Sequence, residues 1–281
     1  MLKLLSDQTE LAIDPWRGGG VAAFKWRGID IFRSSGDSDS PLELGSFPLV
    51  PFCNRIANGY IEKEGQLRTL PAASKFGEHE HALHGMGWIS PWATKLSSSD
   101  SAVLTLKGDG VLWPWVFEAE QRFQVHADGF SQTISVTNHD EAPMPVGIGI
   151  HPYFPNEGAT LKTEATGYWR TGPDRLPEEH YDLRKEPRWF ANSGFDDCFV
   201  GCANPVRIDW PTYHLTIHSS TNLPFTHVYT PPGEDYFCVE PVSHIPDAVN
   251  SAFDDDITGL TVLEPGQSMT AECRFQLEHA S

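Results

Sequence analysis

Along most of the chain, apolar and polar residues alternate one by one instead of recurring every three or four positions. In FEAEQRFQV, Phe117, Ala119, Phe123 and Val125 fall on one side and Glu118, Glu120 and Arg122 on the other; beyond Asp128-Gly129 the alternation resumes through Phe130, Ile134 and Val136. Such period-2 patterning places successive side chains on opposite faces of an extended strand, and Asp-Gly between two such runs signals a hairpin. The same alternation runs through VRIDW (206–210), HLTIH (214–218) and MTAECRFQLE (269–278), where Met269, Ala271, Cys273, Phe275 and Leu277 share a face. No window of a dozen residues carries apolar positions at helical spacing. Turn residues such as Gly18-Gly19-Gly20, Pro231-Pro232-Gly233 and Pro265-Gly266 punctuate the runs. The pattern predicts an all-β protein, a sandwich or barrel of many short antiparallel strands.

No linker-like stretch or compositional break divides the 281 residues. All-β folds often use about 200–250 residues as one unit, so residues 1–281 are expected to form a single domain. Apolar runs fall far short of the ~20 residues a membrane-spanning helix needs, which argues against a membrane protein. Met1 to Asp7 also lacks the apolar stretch of a secretory signal, so the mature chain is expected to begin there. Five cysteines without paired spacing cannot form a complete disulfide framework, and reduced thiols in a cytoplasm are expected. A net charge of −18 with no basic run repels polyphosphate backbones, so nucleic acid is not an expected partner.

Candidate chemistry concentrates in a few places. His79 and His81 lie in Glu78-His79-Glu80-His81. They could open a metal site of the cupin kind, but no carboxylate with a glycine beyond follows the pair, and a solvated loop is the expectation. His84 sits between apolar Ala82-Leu83 and Gly85, a context that suits either a structural histidine or one approached by a ligand. His151 precedes Pro152, Tyr153 and Phe154, and Pro152 holds it near extended geometry. Glu240 ends the apolar run Tyr236-Phe237-Cys238-Val239. It is either a strand-end residue facing solvent or a buried carboxyl with a raised pKa, as a tuned base requires. Asp196-Asp197 lies between aromatics, where an ordinary turn is the alternative to a binding role. A P-loop, GxGxxG after a strand, HExxH and GxSxG are all absent.

Read in order, Pro51-Phe52-Cys53-Asn54-Arg55-Ile56-Ala57-Asn58-Gly59, Leu83-His84-Gly85, Gly149-Ile150-His151-Pro152-Tyr153-Phe154, Phe195-Asp196-Asp197-Cys198-Phe199, Val239-Glu240-Pro241 with Pro246-Asp247-Ala248-Val249-Asn250, and Leu263-Glu264-Pro265-Gly266-Gln267 resemble the aldose 1-epimerase (galactose mutarotase) family. Each piece alone is a weak signal; six in order across nearly the whole chain are specific.

The resemblance implies a large antiparallel β-sandwich, the galactose mutarotase-like supersandwich, holding a sugar on a concave face. It also implies an isomerase that interconverts α and β anomers of free aldoses without metal or other cofactor. By position Glu240 matches the family's base, His151 the proton donor to the ring oxygen and His84 a second histidine near that oxygen, while Arg55 and Asp196 match groups that hold sugar hydroxyls. Glu264, also in a Glu-Pro pair, matches a structural turn. Asp197 stands where many relatives have histidine, so sugar preference does not carry over. The alternatives are a non-catalytic carbohydrate-binding or regulatory β-sandwich and a hexose-6-phosphate 1-epimerase. The second would need cations converging on the phosphate, for which Lys75, Arg170 and Arg175 are candidates. The expected partner is a small-molecule sugar, with the protein a monomer or homodimer.

Overall fold

The computed structural model describes residues 1–36, 38–63, 66–75, 80–183, 194–202 and 205–280. Among them, two large antiparallel sheets, of eleven and eight strands, stack as a sandwich. The predicted hairpin forms from Val116–His126 and Gly129–Asn138, with Phe117 opposite Asn138 and His126 opposite Gly129. The C-terminal alternation becomes Ser268–His279, paired to this hairpin on one side and to Tyr213–Ser219 on the other. The inward row of the hairpin includes a polar residue that the apolar alternation skips. Gln121, fully buried, accepts from Gln132 Nε2 at 2.8 Å and donates to the Gly19 carbonyl at 3.2 Å, which provides the partners a buried amide requires.

The core between the sheets is aromatic. Phe24, Phe32, Phe130, Phe154 and Phe275 are buried and in ring contact, with Phe32 edge-on to both Phe154 (5.4 Å) and Phe275 (5.4 Å). Phe154 belongs to the strand Gly149–Pro155 of the larger sheet and points into this core. Strand alternation therefore turns Tyr153 and His151 to the opposite face of that sheet.

Five consecutive strands build that opposite face: Ser46–Leu49, Gly149–Pro155, Tyr236–Val242, Phe225–Tyr229 and Asp196–Val200. Their register forms a row. Phe47 lies opposite His151, His227 opposite Glu240, and Cys198 opposite His227. The pairs Gly149 with Val242 and Tyr153 with Cys238 bracket the position where His151 meets Glu240. Directly opposed residues share a face, so backbone pairing alone brings His151, Glu240 and His227 side by side.

A loop segment covers one side of this row. Arg55–Ile56 pairs with Ala82–Leu83, and the His84 N–H donates to the Asn54 carbonyl at 2.7 Å. Asn54, His84 and Gly85 all have positive φ, at 55°, 57° and 70°. At Gly85 the close approach demands glycine, since a Cβ would lie 2.2 Å from the Val50 carbonyl oxygen. Gly85→Ala is therefore expected to destabilise the protein by about 1–3 kcal/mol from backbone strain alone, with the clash added. Urea unfolding measures this, and an unchanged midpoint would show that the Val50 backbone yields. No helix among the described residues is long and apolar enough to cross a membrane.

Candidate active site

The row of side chains floors a pocket of about 590 Å³, within the ~300–1,000 Å³ usual for small-molecule sites. At its base His151 Nε2 stands 3.2 Å from Glu240 Oε1, and both residues are buried. The His151 ring is held between two others, Phe47 at 4.6 Å and Tyr153 at 4.8 Å, which fixes its plane. Arg33 stacks over Tyr153 and Tyr236 (4.0 and 4.6 Å) and donates to the carbonyls of Leu42 and Leu44, locking that wall. Glu240 Oε2 is buried without a hydrogen-bond partner. A buried polar atom without a partner marks a place where a bound ligand could supply the missing hydrogen bond.

Burial governs the protonation of this pair. It pushes Glu240 up to about 8, opposed by the positive charge of His227, and it pushes His151 down to about 3, with His227 acting in the same direction. Glu240 protonated beside neutral His151 and Glu240 ionised beside protonated His151 contain the same number of protons. With Glu240 raised and His151 lowered, the pair is expected to hold one proton near neutral pH, on the carboxyl, 3.2 Å from the ring nitrogen.

His84 meets His151 edge-on at 5.2 Å and packs against Trp88 and Phe47. Asp196 takes His227 Nε2 on Oδ1 at 2.9 Å; Arg175 and Arg55 face its Oδ2 at 3.2 and 3.5 Å. Burial works against the Asp196 charge, but the His227 hydrogen bond and charge and the two guanidiniums outweigh it and hold the carboxyl at about 2. Arg55 also donates to Asn54 Oδ1 at 3.0 Å, so Asn54, Arg55 and Asp196 form a rim of fixed donors and acceptors. Strand alternation sends Asp197 the other way, where it accepts from the Thr171 N–H at 2.8 Å.

All five residues singled out from the sequence, Glu240, His151, His84, Arg55 and Asp196, line this pocket. Glu240 is 1% exposed, which excludes the solvent-facing alternative for it. Two residues that were not singled out also belong there. His227 sits in the strand Phe225–Tyr229 outside every motif, and Asn54 sits beside Arg55 inside one; neither carries a sequence signal beyond being a polar residue next to an apolar one.

The expected solvated loop at His81 is not what forms. His81 is buried on the pocket rim, where Nδ1 accepts the Asn58 N–H and Nε2 donates to the Asp174 carbonyl, both at 3.0 Å. Its acidic sequence neighbours suggested solvent, but two distant backbone groups converge on the ring and close the mouth there. His79 lies outside the described residues. Of the cations proposed for a phosphate, Arg175 is engaged by Asp196 and Arg170 by Glu178 and Glu179 (3.2 and 3.7 Å).

For metal, the ligand atoms of His151, Cys238 and Glu240 lie within 4.8 Å of one another. The Cys238 thiol is held well above the ordinary range by burial and by the neighbouring Glu240 charge, so as it stands it is a protonated, weak ligand.

Comparison with known proteins bears on the family and the fold. A sequence model of the family described as aldose 1-epimerase matches residues 6–276. The Escherichia coli K12 protein YphB is 31% identical over 290 residues, covering 95% of this chain and 96% of YphB. The crystal structure of a candidate aldose 1-epimerase from Escherichia coli K12 superposes with a TM-score of 0.89 at 26% identity, covering 99% of each chain. At 18% identity, a galactose mutarotase-like protein from Clostridium acetobutylicum shares the fold, with a TM-score of 0.85 over 99% of this chain and 95% of its own. With the supersandwich in place and the family match running almost end to end, this chain belongs to the aldose 1-epimerase family.

Proposed function

We propose that the protein is an aldose 1-epimerase that interconverts the α and β anomers of free aldoses through acid–base opening and closing of the hemiacetal ring. The observation that carries this reading is the buried Glu240–His151 pair, 3.2 Å apart on the lining of the pocket, with Glu240 Oε2 lacking a hydrogen-bond partner. Inverting an anomeric carbon requires a proton to leave the C1 hydroxyl while another reaches the ring oxygen. Both oxygens are bonded to one carbon, so an acid and a base held close together can serve both.

In this reading Glu240, as carboxylate, takes the C1 hydroxyl proton and His151, as imidazolium, protonates the ring oxygen. The aldehyde turns about C1–C2, and closure on the other face returns both protons. His84 assists at the ring oxygen, and Arg55 and Asp196 hold hydroxyls. Positioned acid–base groups contribute about 10²–10⁴-fold, with fixed orientation adding to this. No hydride moves and no lasting charge develops, so the chemistry calls for neither a redox cofactor nor a metal.

The test is polarimetry of freshly dissolved α-D-glucose or α-D-galactose with and without protein, in EDTA. Accelerated decay to the equilibrium rotation is expected. Decay at the buffer rate across an aldose panel would leave the non-catalytic sugar-binding reading.

Substrate charge is tested in the same format. Arg175 and Arg55 already face Asp196, and Arg33 is tied to carbonyls and rings, so the pocket offers a phosphate no uncommitted guanidinium among these three. Together with the net charge of −18, this favours free sugars. Glucose is expected to show a higher kcat/KM than glucose 6-phosphate at fixed ionic strength, and a clear preference for the phosphate would contradict the assignment.

A further inference from the structure

Both ring nitrogens of buried His81 meet backbone groups whose hydrogen-bonding roles are fixed. Nδ1 accepts the Asn58 N–H at 3.0 Å, and Nε2 lies 3.0 Å from the Asp174 carbonyl oxygen. A backbone N–H can only donate and a carbonyl can only accept, so Nδ1 is bare and Nε2 carries the proton. The partners alone therefore select one neutral tautomer. A second proton, on Nδ1, would set N–H against N–H.

What the ring fastens is the tip of a hairpin at the edge of the larger sheet, made from Gly167–Thr171 and Pro177–Asp182. No residue of Pro177–Asp182 is buried, so burial contributes little there and hydrogen bonds fix the turn. Within it the Gly172 N–H donates to the Leu176 carbonyl (2.8 Å), the Arg175 N–H to the Gly172 carbonyl (2.9 Å) and the Leu176 N–H to Asp174 Oδ1 (3.1 Å). At its base the Thr171 N–H donates to Asp197 Oδ1 and the Thr171 hydroxyl to the Asp196 carbonyl, both at 2.8 Å. The turn so held carries Arg175, at a φ of 66° that a residue with a side chain adopts only where its surroundings enforce it. Arg175 Nη1 reaches Asp196 Oδ2 at 3.2 Å, and His81, Asp174, Arg175 and Asp196 all line the pocket. Asp196 lies two strands from Glu240, about 10 Å at sheet spacing, so Arg175 faces the end of the pocket remote from the proton transfer.

We infer that His81 is a positioning residue for substrate recognition: its neutral ring fastens the turn over 172–176 at the pocket mouth and so holds Arg175 beside Asp196, where the guanidinium contacts sugar hydroxyls away from C1. The inference deepens the epimerase reading, on which only its kinetic arm rests.

His81→Phe keeps a ring of similar size and loses both hydrogen bonds, whereas His81→Gln keeps an N–H for the Asp174 carbonyl. His81→Phe is expected to raise KM for a free aldose about tenfold, the loss of roughly one hydrogen bond, and to change kcat less than twofold because Glu240 and His151 are untouched. His81→Gln should recover most of the affinity. In an Arg175→Gln background His81→Phe should add nothing, since its effect passes through Arg175. The same rise in KM with and without Arg175, a fall in kcat at constant KM, or no change at all would overturn the proposal.

Two further readouts need no turnover. Amide hydrogen exchange at Gly172 and Arg175 should quicken about tenfold in His81→Phe and not in His81→Gln; equal exchange in the parent and both variants would overturn the fastening. Long-range ¹H–¹⁵N correlation spectra of the unmodified, histidine-labelled protein cover the case in which the variants do not fold. They should show the neutral Nε2–H tautomer for His81 at pH 7, and an imidazolium or an Nδ1–H tautomer would overturn it. The fastening can thus fail while the epimerase reading stands, and hold if that reading falls.

Discussion

Glu240→Gln is expected to reduce kcat/KM for anomer exchange by about 10²–10⁴-fold, and His151→Asn by a similar factor, because each removes one end of the proton transfer. Since the two residues act as one proton-holding unit, the double variant should be little worse than either single one. Glu264→Gln is the control. Glu264 is exposed in the turn before the C-terminal strand, where its N–H donates to Gln267 Oε1 at 3.0 Å, and loss of its carboxylate should leave most activity. The reverse outcome, with Glu264→Gln inactive and Glu240→Gln active, would displace Glu240 as the base.

Stability separates a catalytic from a structural effect in these variants. The folded-state pKa of Glu240 is raised above its unfolded value, so its contribution to stability is fully present below the unfolded value, near 4.5, and is lost as pH rises through about 8. Glutamine cannot ionise and escapes that loss. Glu240→Gln should therefore melt no lower than the parent protein at pH 8, and its relative stability should improve between pH 5 and pH 8. An inactive variant that is also strongly destabilised at pH 8 would point to a packing role for the carboxyl.

The second large effect is in the pH profile. The working state of the pair holds one proton: with two there is no base, and with none there is no acid. The pair loses its proton near 8, on Glu240, and takes a second only near 3, on His151. The kcat/KM profile should be flat through neutral pH and fall by about tenfold per unit well above pH 8. Rising activity between pH 8 and 10 would mean that the carboxylate works without a proton on its partner. Stopped-flow polarimetry at constant ionic strength measures this directly.

The fold was legible because its signal is local. Alternation in Val116–His126 and Ser268–His279 follows from which face each residue buries, and the structure keeps those faces. Where alternation misleads, the cause lies across space. Gln121 is inward because Gln132 and the Gly19 carbonyl await it, and His81 is buried because Asn58 and Asp174 converge on its ring. The gathering of Arg55, His84, His151, Asp196 and Glu240 into one pocket could not be read from spacing, since they are spread over strands and loops that only the register unites; family resemblance carried that step. His227 escaped because no motif contained it and a single histidine in a strand has many possible roles. Its place beside the pair follows from lying opposite Glu240, a relation fixed by strand pairing.

Anomer exchange of a free sugar is assigned to the buried Glu240–His151 pair. Proton exchange spectroscopy of an equilibrated aldose with catalytic amounts of protein reads this without coupling enzymes or added reagents. The expected result is cross-peaks between the α and β anomeric protons that grow in proportion to protein concentration and vanish with Glu240→Gln. Sugar resonances that broaden on binding while exchange stays at the buffer rate across glucose, galactose and other aldoses would contradict it.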